Sequence, residues 1–343
     1  MKLLSNFLLA SPLLAHAVFT GANLDPGQIN WQPCSEFNST ELIQCAHLTI
    51  PLDYTELESN KTLQLQLLRV PALRQPSKGS ILFNFGGPSV AGRPSLASSG
   101  EFFRKQSYQS PPRATSEHHD LVTFDPRGTG NTLPFSCFED EQEKLSYFMK
   151  NPKSSDKTLA RLWATAKLFA DKCYERNKEI GGLVGSAFVA RDLMKIVDAL
   201  GKDGLLRYWG GSDGMLLGQT AAAMFPGRID RMVLDGDLNP HEYYRGHDYE
   251  QWTDSDKTFS AVFQSCVANP SVCPLAQRHP NQTAAQLEDT IYTLIDDLND
   301  RPIPFNSLLS TTATSKLASW RLSTARISGP SWMLTSTPSY LGT

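Results

Sequence analysis

The chain has 343 residues, 40% hydrophobic and 20% charged, and its 32 basic side chains nearly balance 35 acidic ones for a net charge of −3. That length suits one large domain or two ordinary ones, and the charge balance excludes a disordered polyelectrolyte and a binder of phosphate backbones, so nucleic acid is not an expected partner. The 23 Gly and 22 Pro are dispersed and no long repeat persists, which excludes collagen-like, low-complexity and coiled-coil classes.

Residues 1–17 set Lys2 ahead of an apolar run that is broken by Ser11-Pro12 and closes in Ala15-His16-Ala17. This small-x-small ending, on a run shorter than the ~20 apolar residues a membrane span needs, predicts a cleaved signal peptide. The expected destination is secretion, with no membrane association after cleavage. Export in turn predicts oxidised cysteines and glycans. Of the six cysteines, Cys34 and Cys45 are close in sequence, as are Cys266 and Cys273, which leaves Cys137 with Cys173. None sits in a CxxC unit, so no metal site is expected. Acceptor triplets for N-glycosylation begin at Asn38, Asn60 and Asn281.

Along the chain, strand-like and helix-like segments alternate. Leu63 to Val70 has the apolar/polar alternation of a half-buried strand, and Ser80 to Phe85 is a compact apolar run that stops at Gly86-Gly87-Pro88. Lys157 to Asn177 and Phe188 to Leu200 carry apolar residues at helical spacing. Short apolar runs recur at Asp120–Asp125, Leu205–Trp209 and Arg231–Asp235, each closed by Pro or Gly, and Met215 to Met224 reads as a buried helix. This order predicts an α/β fold, a mainly parallel sheet with helices on both faces and functional loops at the carboxyl ends of its strands.

The most informative segment is Tyr208-Trp209-Gly210-Gly211-Ser212-Asp213-Gly214, a GxSxG between a strand-like and a helix-like run. A serine on such a sharp turn is held in strained geometry with its hydroxyl above the sheet, and the flanking glycines remove clashing Cβ atoms. Ser212 is the expected nucleophile. The amide of Asp213, at the helix start, then faces a developing oxyanion, and Gly86-Gly87 lets a second stretch of backbone approach the same point. The loop Asp125-Pro126-Arg127-Gly128-Thr129-Gly130 ends another strand; its Asp and Arg are expected to be fixed in a buried ion pair rather than to bind substrate.

The series Cys34–Cys45, Ile50-Pro51-Leu52-Asp53-Tyr54, NFGGP (84–88), DLVTFDPRGTG (120–130), VARDL (189–193), YWGGSDG (208–214), MFPGRIDRMVLDG (224–236) and Tyr243-Tyr244 resembles the secreted tripeptidyl-aminopeptidase and proline-iminopeptidase group of α/β-hydrolases over roughly residues 31–250. The resemblance implies a serine exopeptidase in which Ser212 attacks the carbonyl, a His is general base, an Asp orients it, and amides of Gly87 and Asp213 hold the oxyanion. It also implies a mostly helical cap after Asp235. The chain departs from the group's pattern where Ser89 replaces a glycine after GGP and where Asp213 replaces an aromatic after the nucleophile.

In the fold that the resemblance implies, an acid and then a histidine follow the serine. Only His241, His247 and His279 do so here, none after a recognisable strand, and each reads as a surface or cap residue. Asp235 ends a strand but reads as a cap of the next turn, and Glu242 and Asp248 read as solvated carboxylates. Past Asp300 there is no Asp, Glu or His, and the segment is rich in Ser and Thr. The expected organisation is a signal peptide (1–17), a hydrolase core (18–245), a helical cap segment (246–300) and an irregular tail (301–343), the whole resembling a hydrolase truncated at its C-terminus. Three functions follow: an exopeptidase-like serine hydrolase on peptides, a hydrolase of a small ester, lactone or amide, or a non-catalytic secreted glycoprotein that keeps the elbow without acid and base. No phosphate loop, dinucleotide fingerprint or metal-ligand spacing is present in the sequence, so no cofactor is expected.

Overall fold

The computed structural model describes residues 29–56, 58–88, 90–106, 115–149, 156–236, 238–247, 249–305 and 308–310. The signal-peptide segment, Ser89, Asp248 and residues 311–343 lie outside them. In chain order the elements are β1 (Gln32–Pro33), β2 (Gln44–Pro51), β3 (Thr62–Val70), β4 (Ser80–Asn84), α1 (Gly92–Gln106), α2 (Thr115–His118), β5 (Asp120–Phe124), α3 (Glu141–Met149) and α4 (Asp156–Asn177). There follow α5 (Ser186–Ala199), β6 (Leu206–Gly211), α6 (Asp213–Met224), β7 (Ile229–Asp235), α7 (Pro240–Tyr244), α8 (Ser255–Ala268), α9 (Pro274–Arg278), α10 (Ala284–Asp300), β8 (Ile303–Phe305) and β9 (Leu308–Ser310).

The chain divides into two compact units, Met1–Phe135 with Glu179–Asp235, and Ser136–Lys178 with Gly236–Thr343. The first holds a seven-stranded sheet in the order β1-β2-β3-β5-β4-β6-β7. Strands β5, β4, β6 and β7 are parallel, while β1, β2 and β3 form an antiparallel flank joined to β5. Parallel neighbours need crossover connections, and the helical segments between them supply these. The predicted α/β class holds, with the antiparallel flank added.

One face of the sheet carries a core of Leu48, Ile50, Leu65, Leu67, Leu82, Val122 and Phe124 with Leu193, Ile196 and Leu217 from α5 and α6. The other packs Leu68, Val70, Phe83 and Leu121 against Leu96 and Ala97 of α1. Strand β3 is buried on both faces at Leu67 and Leu68, each worth about 2 kcal/mol of burial. An aromatic group of Phe83, Phe85, Phe103 and Trp209, with centroids 5.0–6.1 Å apart, stiffens the α1 side.

The second unit is mainly helical. A small core of Phe263, Cys266, Ala276 and Leu287 ties α8, α9 and α10 together, and Thr283 with Gln286 forms a capping box on α10. Residues 301–343 were expected to be irregular throughout, yet β8 and β9 pair antiparallel. Their closeness in sequence keeps the entropy of loop closure small. All three expected disulfides are formed, Cys34–Cys45, Cys137–Cys173 and Cys266–Cys273. Among the described residues no helix is long and apolar enough to cross a membrane.

Candidate active site

Ser212 stands between the end of β6 and the start of α6 with φ 53° and ψ −125°, and its residue is exposed. Among the described non-glycine residues only Leu133 shares a positive φ, so the backbone here is strained by about 1–3 kcal/mol. Surrounding bonds hold that strain in place. The Ser212 amide donates to the carbonyl of Asp235 on β7 at 2.7 Å, and its carbonyl accepts from Met215 at 2.9 Å. Tyr208, buried on β6, donates its hydroxyl to the Gly214 carbonyl at 2.7 Å. Burial first, and then the charge of Asp213, push the Tyr208 phenol well up, so it stays a donor.

The glycines of the motif serve close approach. A Cβ on Gly210 would overlap the Gly214 carbonyl, and one on Gly214 would stand 2.5 Å from the carbonyl oxygen of Asn84 on β4. Helix α6 thus begins directly on the sheet.

Gly86, buried with φ +87°, lies against the elbow itself: a Cβ there would be 2.5 Å from the Gly211 oxygen, 2.8 Å from Ser212 Cβ and 2.9 Å from the Asp213 nitrogen. Its amide donates to Asn84 Oδ1 at 2.9 Å. That hydrogen is committed to Asn84, so Gly86 does not offer its own amide at the elbow. What Gly86 supplies is proximity. Gly87, the next residue, is exposed at φ +126°, and Asp213 opens α6, where the helix dipole is positive.

The loop that carries Gly86 and Gly87 is tied at both ends. Asn84 holds its start, and at its end the Arg93 amide in the first turn of α1 donates to Asp125 Oδ1 at 2.9 Å. Burial pushes the Asp125 carboxyl up, against the pull of Arg93. Asn84→Ala should therefore slow covalent labelling of Ser212 by about 10- to 100-fold while costing only ~1–3 kcal/mol of stability, read by labelling kinetics alongside thermal unfolding. An unchanged labelling rate would contradict this role.

The expected buried ion pair in the loop after β5 exists, with different partners from the adjacent pair Asp125 and Arg127. Arg127 makes a bidentate contact with Asp192 of α5, Nε to Oδ2 at 2.7 Å and Nη2 to Oδ1 at 2.9 Å, both side chains fully buried. It also donates to the carbonyls of Leu52 and Pro51, and the rings of Tyr54 and Phe188 cover it at 5.1 and 5.2 Å. Tyr54 donates its hydroxyl to Asp192 Oδ1 at 2.7 Å. Sequence reasoning gave Asp192 and Asn84 no part in the site, although both lie inside quoted motifs.

No imidazole of this unit is placed to serve Ser212 among the described residues. His47 pairs with Gln66 across β2 and β3, while His118 and His119 precede β5, at the end of the parallel strands opposite the elbow. In the second unit His241 and His247 are exposed, His241 in α7 and His247 stacked on Tyr249 with centroids 5.6 Å apart, and His279 caps the end of α9. The Asp235 residue is exposed at the end of β7, and its backbone carbonyl accepts the Ser212 amide. Asn38, Asn60 and Asn281 are all exposed. Cys34, Glu36 and Cys45 cluster at metal-like distances, but the two sulfurs are bonded to each other, so no thiolates are offered.

A strained serine at a strand-to-helix turn, with a glycine loop pressed against it at the carboxyl edge of a parallel sheet, defines the nucleophile-elbow class of α/β proteins. The profile of the alpha/beta hydrolase fold family matches residues 81–280, and the chain belongs to that family. Relatives include the tripeptidyl aminopeptidase of Streptomyces coelicolor, 32% identical over 65% of this chain and 40% of its own length. The serine protease Hip1 of Mycobacterium tuberculosis is 30% identical over 84% of this chain and 53% of its own. The chain thus spans about half or less of the length of these relatives. Solved structures that resemble it include alpha/beta hydrolase domain-containing protein 10 from mouse, with 16% identity, a TM-score of 0.27 and coverage of 51% of this chain and 46% of that one.

Proposed function

We propose that this protein is an exported serine hydrolase of exopeptidase type, which releases N-terminal residues or short peptides through an acyl-enzyme on Ser212. The observation that carries this reading is Ser212 at φ 53° with Gly86 packed on its Cβ. Ser212 Oγ gives its proton to a general base as it attacks the carbonyl carbon, the tetrahedral oxyanion lies between the amides of Gly87 and Asp213, and collapse passes that proton to the expelled amine and leaves an ester that water hydrolyses. Relatives named as an aminopeptidase and a serine protease support peptides as substrate class. Three paired disulfides and exposed Asn38, Asn60 and Asn281 support the exported, glycosylated form.

A fluorophosphonate probe tests the proposal. Labelling of the wild-type chain that vanishes in Ser212→Ala is the expected result, and tripeptide amides should then be cut in preference to simple esters. The position of His47, His118 and His119 away from the elbow favours one rival, a secreted glycoprotein without catalysis. A triad lacking a member retains only about 10⁻⁴ of its rate or less, so a wild-type chain that takes up no probe would establish the rival.

A further inference from the structure

The segment between β1 and β2 is closed into a strap by the Cys34–Cys45 disulfide, and it lies along α1. Three side chains of α1 hold it there. Arg93 donates to Glu36, Glu101 accepts from the Thr40 hydroxyl at 3.0 Å, and Arg104 meets Glu41 at 3.1 Å. Positions 93, 101 and 104 fall on one face of a helix with 3.6 residues per turn. Between these polar contacts Cys34, Phe37 and Cys45 pack on the core that α1 covers.

Arg93 reaches further than the other two. Its side chain is 3% exposed, and its Nη2 donates both to Glu36 Oε2 at 2.8 Å and to Cys45 Sγ at 3.3 Å, with the Phe37 ring 5.2 Å from the guanidinium carbon. On its other side Nη1 stands 3.9 Å from Asp125 Oδ2, and Asp125 Oδ1 accepts the Arg93 amide. One residue thus grips Asp125 with backbone and side chain together, at the place where the Gly86-Gly87 loop ends. Burial pushes the Asp125 carboxyl up and the Arg93 charge opposes this, which favours the anion, the stronger acceptor of an amide hydrogen.

We propose that Arg93 is a positioning residue for the elbow, coupling the disulfide-closed strap of residues 34–45 to the loop that carries Gly87. While the strap is closed, Glu36, Phe37 and Cys45 fix the guanidinium, and the guanidinium in turn fixes Asp125 and the end of the loop. Opening the disulfide returns conformational freedom to the strap, so the partners of Arg93 are no longer held in one place. The loop end then loses its fixed anchor, and the Gly87 amide its fixed position. The effect on Ser212 rests on the proposed function; the coupling itself does not.

Hydrogen exchange of the full chain, read by mass spectrometry on the peptide spanning residues 85–93, reports the coupling, and fluorophosphonate labelling reports its effect on Ser212. Opening the strap with Cys34→Ser and Cys45→Ser, or removing the guanidinium with Arg93→Met, should each speed that exchange and slow labelling by about 10-fold. Combining the substitutions should add little, since both act through one contact, whereas independent effects would multiply to about 100-fold. Glu36→Gln keeps an acceptor for Nη2 and should retain wild-type exchange, while Glu36→Ala should speed it. Opening Cys266–Cys273 in the second unit is the control and should leave the peptide unchanged. Exchange that is alike in the wild type and Arg93→Met overturns the proposal, as do effects that multiply. Should Arg93→Met fail to fold, Glu36→Ala decides: exchange at the wild-type rate overturns the coupling. A wild-type chain that takes up no probe removes only the hydrolase reading, and the exchange results still decide the role of Arg93.

Discussion

Asp192→Ala is expected to lower the unfolding free energy by about 3–5 kcal/mol, a large share of the ~5–15 kcal/mol that holds a typical domain together. The size follows from what is left behind. Arg127 is fully buried, its guanidinium lies under two aromatic rings, and its remaining acceptors, the carbonyls of Pro51, Leu52 and Leu183, carry no charge to balance it. Tyr54 loses the acceptor of its hydroxyl at the same time. Burial, and then the Asp192 charge, push the Tyr54 phenol up, so it cannot ionise to compensate. Thermal unfolding should fall by roughly 10 °C, whereas Tyr54→Phe, which keeps the ring over Arg127 and removes one hydrogen bond to a charged group, should cost only ~1.5–3 kcal/mol. Replacing Arg127 and Asp192 together by leucine should recover part of the loss, because no buried charge is then left alone. A melting shift of Asp192→Ala no larger than that of Tyr54→Phe would show that the pair does not hold the loop.

This pair also marks where sequence reasoning stopped. The turn at Ser212 is a local event: strand, two small residues, serine and helix lie within about ten positions, and local sterics dictate the outcome. Arg127 and Asp192 are 65 residues apart and Tyr54 and Asp192 are 138 apart, so only the folded sheet joins them. Helix α1 carries Pro94 and several serines, which weaken its helical signal in the sequence, although proline is tolerated in the first turn of a helix. Strand β2 has a legible alternation, with Ala46, Leu48 and Ile50 inward and His47 and Thr49 outward. The difference between Gly86 and Gly87 is illegible for a related reason. Two adjacent glycines look alike in sequence, and only Asn84 Oδ1, positioned by β4, shows that one amide is engaged.

Gly86→Ala should give the largest loss of probe labelling short of removing Ser212. Two costs add at this position. At φ +87° an L-residue is strained by about 1–3 kcal/mol, and the new methyl would meet the Gly211 oxygen at 2.5 Å and Ser212 Cβ at 2.8 Å. Neither neighbour can yield easily, since the Gly211 peptide lies between β6 and the strained turn and Ser212 is bonded to Asp235 and Met215. The loop must therefore lift, yet Asn84 and Asp125 tether its two ends, so the displacement concentrates at Gly86 and Gly87. A shift of about 1 Å there displaces the Gly87 amide from the place that the proposed mechanism gives it and should slow labelling by about 100-fold, with roughly 3 kcal/mol of stability lost. Gly182→Ala is the matched control, because a Cβ at that position meets nothing within 4 Å. Labelling rates measured well below both melting temperatures separate the two effects: if Gly86→Ala and Gly182→Ala react alike there, the close contact between this loop and the elbow is not what prepares Ser212 for attack.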